Sequence, residues 1–236
     1  MKKLGFTLTE LIVALTIVGV VSSLVIPSFV SESKNKANAK KLSAIVSTVE
    51  RAFSTMISTE AVNNLSETAF GKSPSAGNLG IYLKLSGNED SLSDFYSSAT
   101  PFKTLSGATW TPTVDDIYQT KNGALLIYTN NRAIDTDATD EFIRTNGGSA
   151  YGLIGYFTID VNGKTLPNIV GRDVFHFLIG DDGCLYPAGG RNFAILAEGS
   201  TNTWNTAGGT HTCIDGGTKN AGCTARLIEN NYEVDY

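Results

Sequence analysis

Two histidines, three cysteines and two acidic clusters carry most of the reactive chemistry this chain can offer. His176 stands in an apolar run and His211 among glycines and threonines, and neither has a nucleophile or base suggested by spacing. A Gly-x-Ser-x-Gly elbow, a metalloprotease helix and a phosphate loop are all absent from the sequence. No catalytic pattern is therefore read from these residues, and His176 reads as a core or interface side chain. The first acidic cluster, Asp135-Thr136-Asp137-Ala138-Thr139-Asp140-Glu141, alternates oxygen ligands as a calcium loop does. Asp140, however, falls where an EF-hand turn requires glycine. The second, Asp160-Val161-Asn162-Gly163 followed by Asn168 and Asp173, can gather carboxylate and amide oxygens around one cation. The same residues can instead hold a turn through side-chain to backbone bonds, and this simpler reading is preferred.

One further carboxylate is out of place in a different way. Glu10 lies near the start of MKKLGFTLTELIVALTIVGVVSSLVIPSFV, and from Leu11 to Ser31 there is no ionisable side chain. As a helix this run extends about 30 Å, the hydrocarbon thickness of a bilayer. It is too long for the core of a secretory signal peptide, and its only small-residue break, Val21-Ser22-Ser23, lies in its middle. An unpaired carboxylate at mid-membrane costs about 2.5 to 3.5 kcal/mol, so Glu10 requires a partner or a position at the membrane edge.

Lys2, Lys3, Gly5, Phe6, Thr7, Leu8, Glu10 and Leu11 resemble the leader and first turns of type IV prepilins and of the pseudopilins of type II secretion. The resemblance implies cleavage of the Gly5/Phe6 bond by a membrane-embedded prepilin peptidase, N-methylation of Phe6, and a pairing of Glu10 with the Phe6 amino group of a neighbouring subunit. Elementary electrostatics agrees: opposite charges about 4 Å apart attract by several kcal/mol at intermediate dielectric, enough to set axial register between otherwise featureless apolar helices. Gly5, with no Cβ, leaves the backbone open to a protease cleft. Pro27 is expected to kink the helix or to bound, with Gly19, a segment that loosens in the assembled filament. The implied location is the bacterial inner membrane, single-pass with a cytoplasmic amino terminus, and then a periplasmic or cell-surface filament. The implied partners are identical or related pilin subunits, the peptidase, the inner-membrane assembly platform and membrane lipid.

The elements that position these residues follow from periodicity. Leu42, Ile45, Val46, Val49, Ala52, Phe53, Met56 and Ile57 recur at three- and four-residue spacings, opposite Lys40, Lys41, Ser47, Glu50 and Arg51. A single helix from Phe6 to about Ser58, near 80 Å long, is expected. Lys34, Lys36, Lys40 and Lys41 follow the apolar span and oppose the positive-inside expectation, which the leader overrides. They read as a solvated face, or as contacts to lipid headgroups or an acidic neighbour.

Residues 62–112 are rich in Ser, Thr, Gly and Asn, with scattered apolar residues such as Ile81, Tyr82, Leu83, Phe95, Tyr96 and Phe102, and read as a long surface connection with short helical or irregular pieces. Strand signals follow: Ile117–Thr120, a Lys121-Asn122-Gly123 turn and Ala124–Thr129 form a hairpin, and Gly155–Val161 and Val174–Ile179 are further strands, the last apolar on both sides and so interior. The expected fold is α+β, a long amino-terminal helix packed on a small antiparallel sheet, as in pilins. Its divisions are a leader at 1–5, an assembly half of the helix at 6–31, an amphipathic half at 32–58, a connection at 59–115 and the sheet domain at 116–236.

Three cysteines in an exported domain permit one disulfide. Cys213 with Cys223, around Gly216, Gly217 and Gly222, is the expected pair and resembles the carboxy-terminal disulfide loop of many type IV pilins. Cys184 with Cys213 is the competitor; otherwise Cys184 is expected as a buried free thiol. Leu227 and Ile228 mark a short helix able to pin the chain end to the sheet. The formal charge of −5, which becomes −7 on loss of Lys2 and Lys3, excludes a generic nucleic-acid binder. No cofactor is expected, except that the calcium used by major pseudopilins makes Asp160, Asn162 and Asp173 candidate ligands by resemblance of ligand type. The function implied is that of a filament subunit, pilin or pseudopilin, with a minor tip pilin for adhesion or DNA uptake as an alternative. A membrane-anchored binding domain that never polymerises is the alternative of a different class.

Overall fold

The structure is a computed structural model and describes residues 7–89, 91–96, 101–112, 114–130, 153–188, 213 and 222–236. Helix α1 spans Leu8–Thr59, 52 residues, which at 1.5 Å per residue is about 80 Å. It runs through Pro27 as helix, so the loosened turn considered for that segment is absent from the single subunit. Its two halves differ in what they touch. From Leu8 to Val30 the described large apolar side chains are all exposed, whereas Ala39, Leu42, Ile45, Val46, Val49, Ala52, Phe53 and Met56 are buried. Lys40, Lys41, Ser47 and Arg51 take the solvent side as expected.

The buried stripe lies on one face of a six-stranded antiparallel sheet in the order β1(Leu85–Glu89), β4(Asp116–Thr120), β5(Leu125–Asn130), β6(Leu153–Asp160), β8(Val174–Gly180), β9(Leu185–Pro187). The β4–β5 hairpin turns at Lys121-Asn122-Gly123, where Gly123 has φ +86°. That backbone needs no Cβ, which is why Asn-Gly was legible. Strand β8 is paired on both sides and every residue in it is buried.

Strand alternation sorts the side chains. Tyr118, Leu126, Tyr128, Phe157, Ile159, Phe175, Phe177 and Ile179 meet α1. The rings of Phe53 and Phe157 stack with centroids 6.2 Å apart. Ile117, Leu125, Ile127 and Val174 point to the opposite face, where they form a second core with Leu92, Phe95, Tyr96, Phe102 and Val170.

This second core corrects the expectation of a surface connection over 62–112. The segment folds as a 3-10 turn (Leu65–Glu67), α2(Ala69–Lys72), α3(Ala76–Gly80), β1, α4(Leu92–Tyr96), β2(Phe102–Lys103) and β3(Thr109–Trp110). Leu83, Phe95, Tyr96 and Phe102 are buried, with Ile81 left exposed. Its elements are too short for a periodic signal; isolated aromatics among polar residues cover the outer sheet face. A small second sheet, β3-β2-β7, adds β7(Asn168–Ile169) parallel to β2. The last helix, α5(Cys223–Glu229), buries Leu227 and accepts the His176 N–H on the Thr224 hydroxyl at 2.8 Å, fixing the chain end against β8.

Candidate functional site

The amino-terminal end of α1 begins with a reciprocal cap. Thr7 N–H and Thr7 Oγ1–H both donate to Glu10 Oε2 at 2.8 Å, and Glu10 N–H donates back to Thr7 Oγ1 at 3.2 Å. Within one subunit Glu10 is therefore satisfied by its own helix terminus. The Thr-x-x-Glu spacing of Thr7 and Glu10 is the sequence signal of such a capping box, and it would have supplied the partner that the carboxylate requires. The peptide between Gly5 and Phe6 lies outside the described residues. Beyond the cap, Leu11, Ile12, Leu15, Val18, Leu24 and Phe29 stand around the helix with exposures of 51–74% across this group and Leu8. This is the one helix among the described residues long and apolar enough to cross a membrane.

The lysine cluster downstream stays on the solvent side, where Lys36 pairs with Glu32 at 2.7 Å. That is an exposed i,i+4 pair, worth a few tenths of a kcal/mol. Glu50, placed with the solvent side from sequence, instead accepts the Leu185 N–H at 3.0 Å and ties the helix to strand β9.

A second constellation lies on the sheet face away from α1. Asp160, the last residue of β6, is fully buried and its Oδ1 accepts the N–H groups of Asn162 at 3.0 Å and Gly163 at 2.9 Å. This is the turn-holding role expected of it. Its Oδ2 accepts the Tyr96 hydroxyl. Asp173, at the entry to β8, accepts the Ile169 N–H on Oδ1 and the Asn162 side-chain amide on Oδ2 at 2.8 Å. Burial pushes the Asp160 carboxyl up to about 7, with the neighbouring Asp173 adding to the rise, and burial pushes Asp173 up to about 6. The Tyr96 hydroxyl is pushed far above its ordinary range by burial and then by the Asp160 charge.

So the structure brings Asp160, Asn162 and Asp173 together, as the sequence suggested. Asn168, fully buried in β7, has no hydrogen-bond partner for either side-chain amide atom, nor has Asn162 Oδ1. Among the described residues no three His, Cys, Asp or Glu side chains gather as metal ligands. The other acidic cluster, 135–141, and His211 lie outside the described residues. His176 is buried, its Nδ1 3.0 Å from Thr158 Oγ1 and its ring edge-on to Trp110.

Cys213 and Cys223 are joined as a disulfide. Arg226 locks this end of the fold: it donates to the Cys213 carbonyl at 2.9 Å and to Asp235 at 2.8 Å, and lies over the Tyr236 ring. Cys184 is free, but it is exposed and not buried as expected. It follows the tight Asp181-Asp182-Gly183 turn between β8 and β9, one residue before Leu185, which enters the core.

A family model described as the prokaryotic N-terminal methylation motif matches residues 1–26. Comparison with curated proteins and with solved structures gives no match. The capped, uncovered apolar helix carries that motif, and with it the chain bears the signature of type IV pilins and pseudopilins.

Proposed function

We propose that the chain is a structural subunit of a type IV filament, made as a precursor, cut after Gly5, methylated at Phe6 and polymerised through the amino-terminal half of α1. The observation that carries this reading is the contrast within that helix: its apolar residues from Leu8 to Val30 are uncovered, while the following half is buried on the sheet. Uncovered apolar surface of this extent needs lipid or other helices.

Glu10 sets register in this reading. In the single subunit it closes a cap with Thr7; in the filament it turns to the methylated amine of Phe6 on a neighbour. The exchange trades two bonds donated to the carboxylate by uncharged groups for an ion pair with an ammonium, which favours assembly only when a neighbour is at the correct height. Identical or related subunits, prepilin peptidase and an inner-membrane assembly platform are the partners, and the chain is a substrate of catalysis and no catalyst. It rests in the inner membrane with its amino terminus cytoplasmic before it joins a periplasmic or surface filament.

Intact mass of protein from sheared cell-surface filaments tests this. Abundant chain beginning at methylated Phe6 is the expected result. Processed chain confined to the membrane fraction would make it a secretion pseudopilin or minor component, and an uncut leader would overturn the reading.

A further inference from the structure

Where α1, the connection from α3 to β1 and the β4–β5 hairpin meet, the domain leaves a cavity of about 330 Å³. Ile45 and Val49 of α1 line it with Tyr82 and Leu83 of the connection, and Ile45, Val49 and Leu83 are buried. The β1–β4 register pairs Leu85 with Thr120, so Lys84 and Lys121 extend from one pair of strand ends, where the Lys121 N–H donates to the Lys84 carbonyl at 3.2 Å. Both lysines line the cavity from exposed positions. Neither ammonium has a carboxylate: the ion pairs among the described residues join Lys36 to Glu32 and Arg226 to Asp235.

The hydroxyl groups that line the cavity are already used. That of Thr48 donates to the Ala44 carbonyl at 2.6 Å, and that of Tyr82 to Glu60 at 3.3 Å. The Thr120 hydroxyl is held between Asn122 Oδ1 and the Ala124 carbonyl. What remains, beside the Asn122 amide, is an apolar hollow with two uncompensated positive charges. Such a site takes an apolar body that ends in an anion.

The chain itself carries that combination. Outside the first half of α1, the exposed large apolar side chains among the described residues are Ile81, next in sequence to the cavity's own Tyr82, and Leu166, whose neighbours Lys164, Thr165 and Pro167 include no carboxylate. Along that first half and its end the carboxylates are Glu10 and Glu32, and Glu10 faces the Phe6 amine in the function proposed above. Phe29 lies three residues before Glu32, so the two share a helix face. At 67% exposure, Phe29 is the one exposed aromatic side chain among the described residues. The pair that Glu32 makes with Lys36 is an exposed one, which costs little to exchange.

We infer that this cavity seats a second copy of the chain, which inserts its Phe29 ring against Ile45, Val49 and Leu83 and sets its Glu32 on Lys84 and Lys121. The inference rests on the filament reading and adds to it a contact between the helix of one subunit and the domain of another. Phe29 precedes Ile45 by 16 residues of one unbroken helix, about 24 Å, so knob and hole lie at different heights on each subunit. Between parallel helices the same partner cannot return such a contact. It is heterologous, and it repeats as an open array of copies shifted along the helix axis.

The test compares filaments sheared from cells with processed chain in the membrane fraction. Lys84→Glu with Lys121→Glu should cut sheared filaments at least tenfold and leave the melting temperature of the detergent-solubilised chain unchanged, because both side chains are exposed and unpaired. Glu32→Lys alone should cut them as well. The three substitutions together should restore at least half of the parent yield, since opposite charges then face each other again. A photoreactive benzoylphenylalanine in place of Phe29 should cross-link to residues 45–49 or 82–84 of another copy. Filaments that persist in the Lys84/Lys121 variant overturn the inference and leave the filament reading standing. So does a loss that Glu32→Lys fails to reverse, or a cross-link from position 29 that maps only to residues 8–30 of other copies. A parent chain that yields no filaments overturns the filament reading itself, and this inference with it.

Discussion

The two halves of α1 are made of similar apolar residues yet have opposite fates. Val18 is 61% exposed and Val49 is fully buried, on the same unbroken helix. The difference is one of pattern. Around Val49 the apolar residues form a stripe with lysines, serines and arginine behind it, so one face can be buried within the chain. Around Val18 they run on every side, and no single sheet can cover them. A striped helix is completed by its own domain, and one apolar all round by lipid or by other subunits.

That contrast breaks most sharply at Glu10. Replacing Glu10 with alanine should leave membrane anchoring and the melting of the folded domain intact while filaments disappear from sheared fractions. If filaments persist, the first half of the helix assembles on packing alone and the carboxylate has no part in register. The mirror-image substitution is Phe53→Ala in the second half. It removes a ring stacked on Phe157 and tilted against Phe70, and should cost about 3 to 5 kcal/mol of domain stability by urea unfolding of the detergent-solubilised chain. A loss below about 1 kcal/mol would mean that the amphipathic half is only lightly docked.

Removal of the Cys213–Cys223 bridge by paired serine substitutions comes next, at about 2 to 3 kcal/mol. It should leave helix anchoring untouched, since α5 and its disulfide grip the sheet and touch nothing in the first half of α1.

Much of this division was legible beforehand because it is written in periodicity and in turn chemistry. The stripe from Leu42 to Met56, the Asn-Gly hairpin and the doubly apolar strand at Val174 all depend on local residue order, and they form as read. The outer sheet face was not legible. Phe95, Tyr96 and Phe102 become core only because α4 and β2 fold back over β4 and β5, a contact far along the chain that no local period encodes. The candidate site shows the same split. Asp160, Asn162 and Asp173 converge as their turn spacing suggested, while the burial of Asn168 accompanies the parallel pairing of β7 with β2, a contact far along the chain. Cys184 was misplaced because its chemistry says nothing of the tight turn it follows.

Acidity should move the sheet domain and spare the membrane half. Burial holds the Asp160 carboxyl at about 7 and that of Asp173 at about 6, above an unfolded value near 3.9. Between about pH 4 and 7 the folded chain therefore binds more protons than the unfolded one, and stability falls as pH rises through that window. In chelator, the melting temperature should climb by a few degrees as pH is lowered from about 7.5 to 5. A melting temperature that falls steadily over this range would mean that the carboxylates are stabilised as anions and that their burial is offset elsewhere.

The smallest expected effect is the most direct check on the comparison. Val18→Ala and Val49→Ala delete the same two methyl groups from the same helix. At Val49 the loss leaves a cavity facing the sheet and should cost about 1 to 3 kcal/mol of domain stability. At Val18, 61% exposed, the missing atoms belong to no buried core among the described residues, so domain stability should stay within about 0.5 kcal/mol of the parent. Any change would appear only as looser filaments, where a neighbouring helix supplies the contact. A destabilised domain in Val18→Ala would show that the first half folds back onto its own subunit, and the split between the two halves would fail at its root.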